Sequence, residues 1–147
     1  MIELEVTGTA IPQRLEDVHR AIADLWREVD RIWPRPPDAA WRAQFTTGVG
    51  EIGANIIQYA YLSETPGLLA FRLRVFDQCI EACFSDTGRP YEGDVTEAPP
   101  EPSDPLLLAD SGRGIALARA AVDGLTYERV PGGTNHWCLT KRSAAMP

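Results

Sequence analysis

Glu51-Ile52-Gly53-Ala54-Asn55, Asp86-Thr87-Gly88-Arg89-Pro90 and Ser111-Gly112-Arg113-Gly114-Ile115 are the stretches on which the reading of this chain turns. In that order they offer a carboxylate, an amide able to ligate a cation, an aspartate at a turn and a glycine-rich helix start. A nucleoside triphosphate site needs that combination of groups, so the chain reads as a nucleotide-binding domain.

The first stretch sits on a helix. Trp41, Phe45, Val49, Ile52, Ile56 and Tyr59 recur at three-and-four spacing, which predicts an apolar stripe along one face. Glu51 and Asn55 are one turn apart and project together beside that stripe. Magnesium takes only one or two oxygens from protein and the rest from phosphates and water, so a single Asn carbonyl suits it. Glu51 is then placed to activate a hydroxyl. The alternative is a surface Glu with an Asn that faces water. Glycines at 48, 50 and 53 argue for something packed closely against this helix, because each costs about 1 kcal/mol relative to Ala in a helix interior.

The second stretch follows a predicted strand ending in Phe84-Ser85, and its Gly88 and Pro90 force a turn. A carboxylate held at Asp86 can accept a hydrogen bond from an exocyclic amine such as that of adenine, with Gly88 letting the base approach the backbone. An ordinary strand-end turn has the same composition. In the third stretch, the free amides of a helix start make an anion site. A glycine hinge before a helix is the alternative. Its spacing fits neither a Walker loop nor a dinucleotide fingerprint.

Outward from these motifs the pattern is α/β. Residues 2–7 alternate as a short strand, and Leu15, Val18, Ile22, Leu25, Val29 and Ile32 mark an amphipathic helix that stops at Trp33-Pro34. Residues 68–76 and 79–85 read as a hairpin turning at Asp77-Gln78, with Phe71, Leu73, Val75, Ile80, Ala82 and Phe84 inward. Residues 90–110 contain five prolines and little periodicity, which predicts a long surface loop acting as a lid. A helix then continues through Ile115, Leu117, Ala118 and Val122 to Gly124, and strands are expected near 125–130 and 136–142. His19 is expected to be a partly exposed helix residue, and His136 and Trp137 to lie in or near the last strand.

Composition narrows the function classes. With 147 residues and 44% apolar content, a single domain spanning 1–147 is expected. A net charge of −7 without a Lys/Arg cluster argues against direct nucleic acid or anionic membrane binding. No apolar run approaches the roughly 20 residues of a membrane span, and the start MIELEV is unlike a signal peptide. The expected location is the cytoplasm. Three cysteines without a CxxC argue against a disulfide framework or zinc site. Cys79 and Cys83, about 13 Å apart along one strand, cannot bridge, so buried or half-buried free thiols are expected.

Taken together, the motifs resemble the GHKL ATPase superfamily, and within it the anti-sigma factor serine kinases of the partner-switching type. Glu51 to Asn55, continuing Ile56-Ile57-Gln58-Tyr59-Ala60-Tyr61, is similar to the N box. Asp86 to Pro90 resembles the G1 box, Gly112-Arg113-Gly114-Ile115 the G2 box, and Gly133-Thr134 the terminal glycine-threonine whose hydroxyl supports adenine binding. The likeness spans residues 2 to 142.

The resemblance implies a Bergerat-type α+β sandwich, with a mixed, mostly antiparallel sheet, helices on one face and an ATP lid over 90–111. It implies ATP and Mg2+ as ligands. Glu51 becomes the general base, Asn55 the magnesium ligand and Asp86 the adenine reader. Gly88, Pro90, Ser111, Gly112, Arg113, Gly114, Ile115 and Thr134 join them around the nucleotide. The implied activity is an ATP-dependent protein serine/threonine kinase that sequesters a sigma factor and phosphorylates a STAS-type anti-anti-sigma protein, and a homodimer is also implied. A nucleotide-binding anti-sigma module without phosphotransfer is the alternative. Two positions depart from the family pattern. Ile56 stands where Ala is usual, which is expected to crowd the phosphate side, and Tyr59 stands where His is frequent.

Overall fold

The computed structural model describes residues 2–61, 65–93, 95 and 111–143, with Ser111 and Gly112 described in their backbone only. Most of the expected lid, 94 and 96–110, therefore lies outside the described residues. Among them the chain runs β1 (Ile2–Thr9), α1 (Gln13–Ile32), α2 (Ala39–Asn55), a π-helical turn (Ile56–Ala60), β2 (Leu68–Phe76), β3 (Cys79–Asp86), α3 (Ser111–Ala121), β4 (Gly124–Val130) and β5 (Thr134–Arg142).

Local chemistry sets the boundaries. Trp33 precedes a proline and is extended at ψ 127°, as the proline ring demands, so α1 stops there. Its buried indole then donates to the Phe76 carbonyl at 3.0 Å. Asp38 caps α2, its Oδ1 accepting from Trp41 N at 2.9 Å. The hairpin turns at Gln78 with φ 59°, a conformation better suited to Gly, and the Gln78 carbonyl accepts from Ser143 N at 2.9 Å.

The five strands form one sheet in the order β1-β2-β3-β5-β4. Every pairing among them is antiparallel, so the parallel component of the expected mixed sheet is not found among the described residues. Alternation puts Phe71, Leu73 and Val75 of β2, Ile80, Ala82 and Phe84 of β3, and Trp137 and Leu139 of β5 on one face. The three helices cover that face with Val18, Ile22, Leu25, Phe45, Val49, Ile52, Ile115 and Ala118. The expected close packing against α2 is present: a Cβ on Gly48 would stand 3.3 Å from Val122, and one on Gly53 would stand 2.8 Å from Leu15 and 3.2 Å from Phe84. Large side chains at these points would separate α2 from α3 and from the sheet.

The other sheet face is not covered by these helices, and the cysteines there require a correction. Cys83 of β3 and Cys138 of β5 are register partners with Cα atoms 4.2 Å apart, and they form a disulfide. The expected trio of free thiols reduces to Cys79 alone, which indeed does not pair with Cys83. Spacing along one strand excluded the local pair correctly, but it carried no information about a strand that arrives 55 residues later. One rung further, Ser85 Oγ lies 2.9 Å from His136 Nδ1.

Candidate nucleotide-binding site

A cavity of about 420 Å³ opens between the end of α2, the π turn, the segment after β3 and the start of β5. Its walls include Asn55, Ile56, Tyr59, Asp86, Pro90, Tyr91, Asn135 and Trp137. The volume lies in the range of small-molecule sites, roughly 300–1,000 Å³.

Two of the wall residues stand out. Asn55 is 8% exposed and Asp86 2% exposed, yet Asn55 Oδ1 and Asp86 Oδ2 have no hydrogen-bond partner among the described residues. Leaving a buried acceptor unpaired costs about 1–3 kcal/mol, so each such oxygen calls for an explanation. The other Asp86 oxygen, Oδ1, is fully used: it accepts from Gly88 N at 2.8 Å and from Asn135 Nδ2 at 2.9 Å. Burial pushes the Asp86 carboxyl above its ordinary value, against the lowering effect of those two hydrogen bonds and of the Arg129 and His136 charges. One oxygen of this carboxylate is thus spent on the fold, and the other has no partner among the described residues.

The π turn shapes the adjoining wall. Its wider winding, a feature concentrated at functional sites, presents the Ala60 carbonyl to Arg89 N at 2.7 Å. Tyr59 O accepts from the Arg89 guanidinium at 3.3 Å. Gly88 is wedged here, and a Cβ on it would fall on the Ala60 backbone. The space that Gly88 was expected to leave for a base is therefore taken by the protein's own backbone. Tyr61 closes the turn, its hydroxyl accepting from Thr87 N and donating to the Leu68 carbonyl, both at 2.9 Å.

The remaining candidates separate into three places. Glu51 lies one turn before Asn55 and faces the first turn of α3, where a Cβ on Gly114 would stand 2.7 Å from Glu51 Oε2. A carboxylate beside a helix start is favoured by the dipole. Ile115 is buried in the core and Arg113 is exposed, so neither side chain lines the cavity. Of Ser111 and Gly112 only the helical backbone at the start of α3 is described. Thr134 pairs with Val130, and the alternation along β5 turns its side chain to the sheet face opposite Asp86. Asn135, 1% exposed, is the residue that meets Asp86 instead.

Asn135 is the cavity-lining partner of Asp86 that motif reading missed. The signal was the two-residue period itself, because the alternation that sends Leu139 and Trp137 inward sends Asn135 inward as well. Ile56 and Tyr59, the two departures from the family pattern, both line the cavity.

These features define an α+β ATPase domain with one sheet, helices on a single face, and a cavity at the junction of the N-box helix and the Asp86 turn. Residues 11–139 match the histidine kinase-like ATPase domain family, and the chain belongs to it. It is also similar to the serine/threonine-protein kinase BtrW of Bordetella bronchiseptica, with 27% identity over 144 residues covering 97% of this chain and 93% of that protein. No helix among the described residues is long and apolar enough to cross a membrane.

Proposed function

We propose that this chain binds Mg-ATP in the cavity and acts as a protein serine kinase on a STAS-type anti-anti-sigma protein, sequestering a sigma factor when that protein is absent or already modified. The observation that carries the nucleotide part is the pair of buried oxygens, Asn55 Oδ1 and Asp86 Oδ2, unpartnered among the described residues and belonging to two residues that line the cavity. The kinase part is supported by family membership and by likeness to a protein named as a serine/threonine kinase. The partners rest on the resemblance of the motif set, as does the homodimer.

In this reading Asp86 Oδ2 accepts from the 6-amino group of adenine. Asn55 Oδ1, a hard neutral oxygen, fits a magnesium ion, which when bound neutralises phosphate charge. The amides that open α3 face the phosphates. Glu51 takes the proton of the incoming serine hydroxyl as its oxygen bonds to the γ-phosphorus. The bond from that phosphorus to the β-phosphate oxygen breaks, and ADP leaves.

One observation favours a second reading, a nucleotide-binding anti-sigma module without phosphotransfer. Glu51 lies against Gly114 and is not among the residues that line the cavity. Purified protein, radiolabelled ATP with magnesium, and candidate STAS proteins from neighbouring genes separate the two. Label on a partner serine supports the kinase. Nucleotide binding with no label on any partner supports the module, and no ATP binding at all sinks both.

A further inference from the structure

Asn135 has every polar atom occupied. Its Oδ1 accepts from the Tyr127 hydroxyl at 2.6 Å and from the Arg129 guanidinium at 2.9 Å. Its Nδ2 donates to Asp86 Oδ1 at 2.9 Å and to the carbonyls of Gly88 and Arg89, each at 3.1 Å. The amide can point only one way, because a flipped amide would set its oxygen against three acceptors and its nitrogen against two donors. Tyr127 and Arg129 on β4 thus determine which end of the Asn135 amide meets Asp86 on β3.

The consequence falls on Asp86. The terminal torsion of an aspartate is broad, so an unrestrained carboxylate samples many orientations. Here Oδ1 is pinned from two sides, by Gly88 N and by Asn135 Nδ2, and the pin leaves Oδ2, buried and without a partner among the described residues, as the spare acceptor of a residue that lines the cavity. We propose that Asn135, held by Tyr127 and Arg129, is the positioning residue that aims Asp86 Oδ2 at the cavity and thereby sets selectivity for a purine carrying a 6-amino group. A 6-oxo purine would place an acceptor against that oxygen. This inference rests on the proposed placement of adenine at Asp86.

The test compares ATP with purine riboside triphosphate, which lacks only the 6-amino group, both titrated with magnesium into wild type, Asn135→Ala and Tyr127→Phe by calorimetry. Wild type is expected to prefer ATP by about tenfold or more, the size of one hydrogen bond to a charged acceptor. In Asn135→Ala that preference should shrink to about threefold or less, mainly through weaker ATP binding. Tyr127→Phe removes one of the two donors on Asn135 Oδ1 and should lie between them, which keeps the test decisive if Asn135→Ala does not fold. A merely structural role would weaken both nucleotides alike, and an unchanged ratio in the folded variants overturns the inference alone. A wild type that binds the two nucleotides equally overturns the adenine placement at Asp86, and this inference with it.

Discussion

Gly88 and Ala60 are in contact across the gap between β3 and the π turn, so close that a Cβ on Gly88 would clash with the Ala60 carbonyl. The carbonyl is held in place by Arg89 N at 2.7 Å, and Gly88 N is itself committed to Asp86 Oδ1. The turn that carries Asp86 is therefore clamped to the helix that carries Asn55.

Gly88→Ala should open that clamp. Overpacking of this kind costs about 1–3 kcal/mol, and the displaced turn should carry Asp86 out of line with the cavity. The expected outcome is a lower thermal midpoint together with weaker ATP binding. Unchanged calorimetric affinity would show that the contact is structural only.

Asp86→Asn should exchange the base preference. The Asn oxygen can keep the two hydrogen bonds from Gly88 N and Asn135 Nδ2, but its amide nitrogen then faces the cavity as a donor. ATP affinity is expected to fall by roughly 1–3 kcal/mol, with GTP or ITP losing less or gaining.

Acid should weaken ATP binding to the wild type, because protonating Asp86 removes its free acceptor. Burial raises this carboxyl above 3.8, so the loss should begin at a higher pH than for an ordinary aspartate, and the Asn variant should lack it. Folding depends on pH with the opposite sign. The folded chain holds this proton more tightly than the unfolded chain, so the group's contribution to stability is complete below the unfolded value and is lost as pH rises through the folded one. Binding isotherms and thermal midpoints across the acid range read the two effects separately.

Glu51→Gln keeps size and most packing but removes basicity. If, as proposed, Glu51 accepts the serine proton and the chain sequesters a sigma factor, phosphotransfer should fall by roughly 10² to 10⁴, while ATP affinity and sequestration hardly change. Transfer at the wild-type rate would remove the base assignment.

Reduction should expose the Cys83–Cys138 link. Closing a loop with a sequence separation of 55 is worth roughly 4 kcal/mol on the chain-entropy account. The oxidised protein should alkylate at Cys79 alone, the reduced protein at all three cysteines, and the reduced protein should melt at the lower temperature. Equal thiol counts before and after reduction would show that the bridge does not form in solution.

The elements and their order were legible because each is a local pattern. The stripe from Val18 to Val29, the alternation of Phe71, Leu73 and Val75, and the proline after Trp33 act within a few residues of one another. Asn55 and Asp86 were legible as candidates for a related reason, since each belongs to a short motif whose residue types name their own chemistry, and both line the cavity. What the tertiary structure decided lies between strands. Which residues face each other across β3 and β5 depends on a register set by sheet order, and that register makes Asn135 the partner of Asp86, turns Thr134 to the opposite face, and brings Cys138 to Cys83. Gly88 was marked for a close approach, but only packing shows that the approaching group is the Ala60 carbonyl. Periodicity along a chain says which face a residue takes, whereas the partner on that face comes from a segment about fifty residues away and is selected by burial and hydrogen bonding in the folded whole.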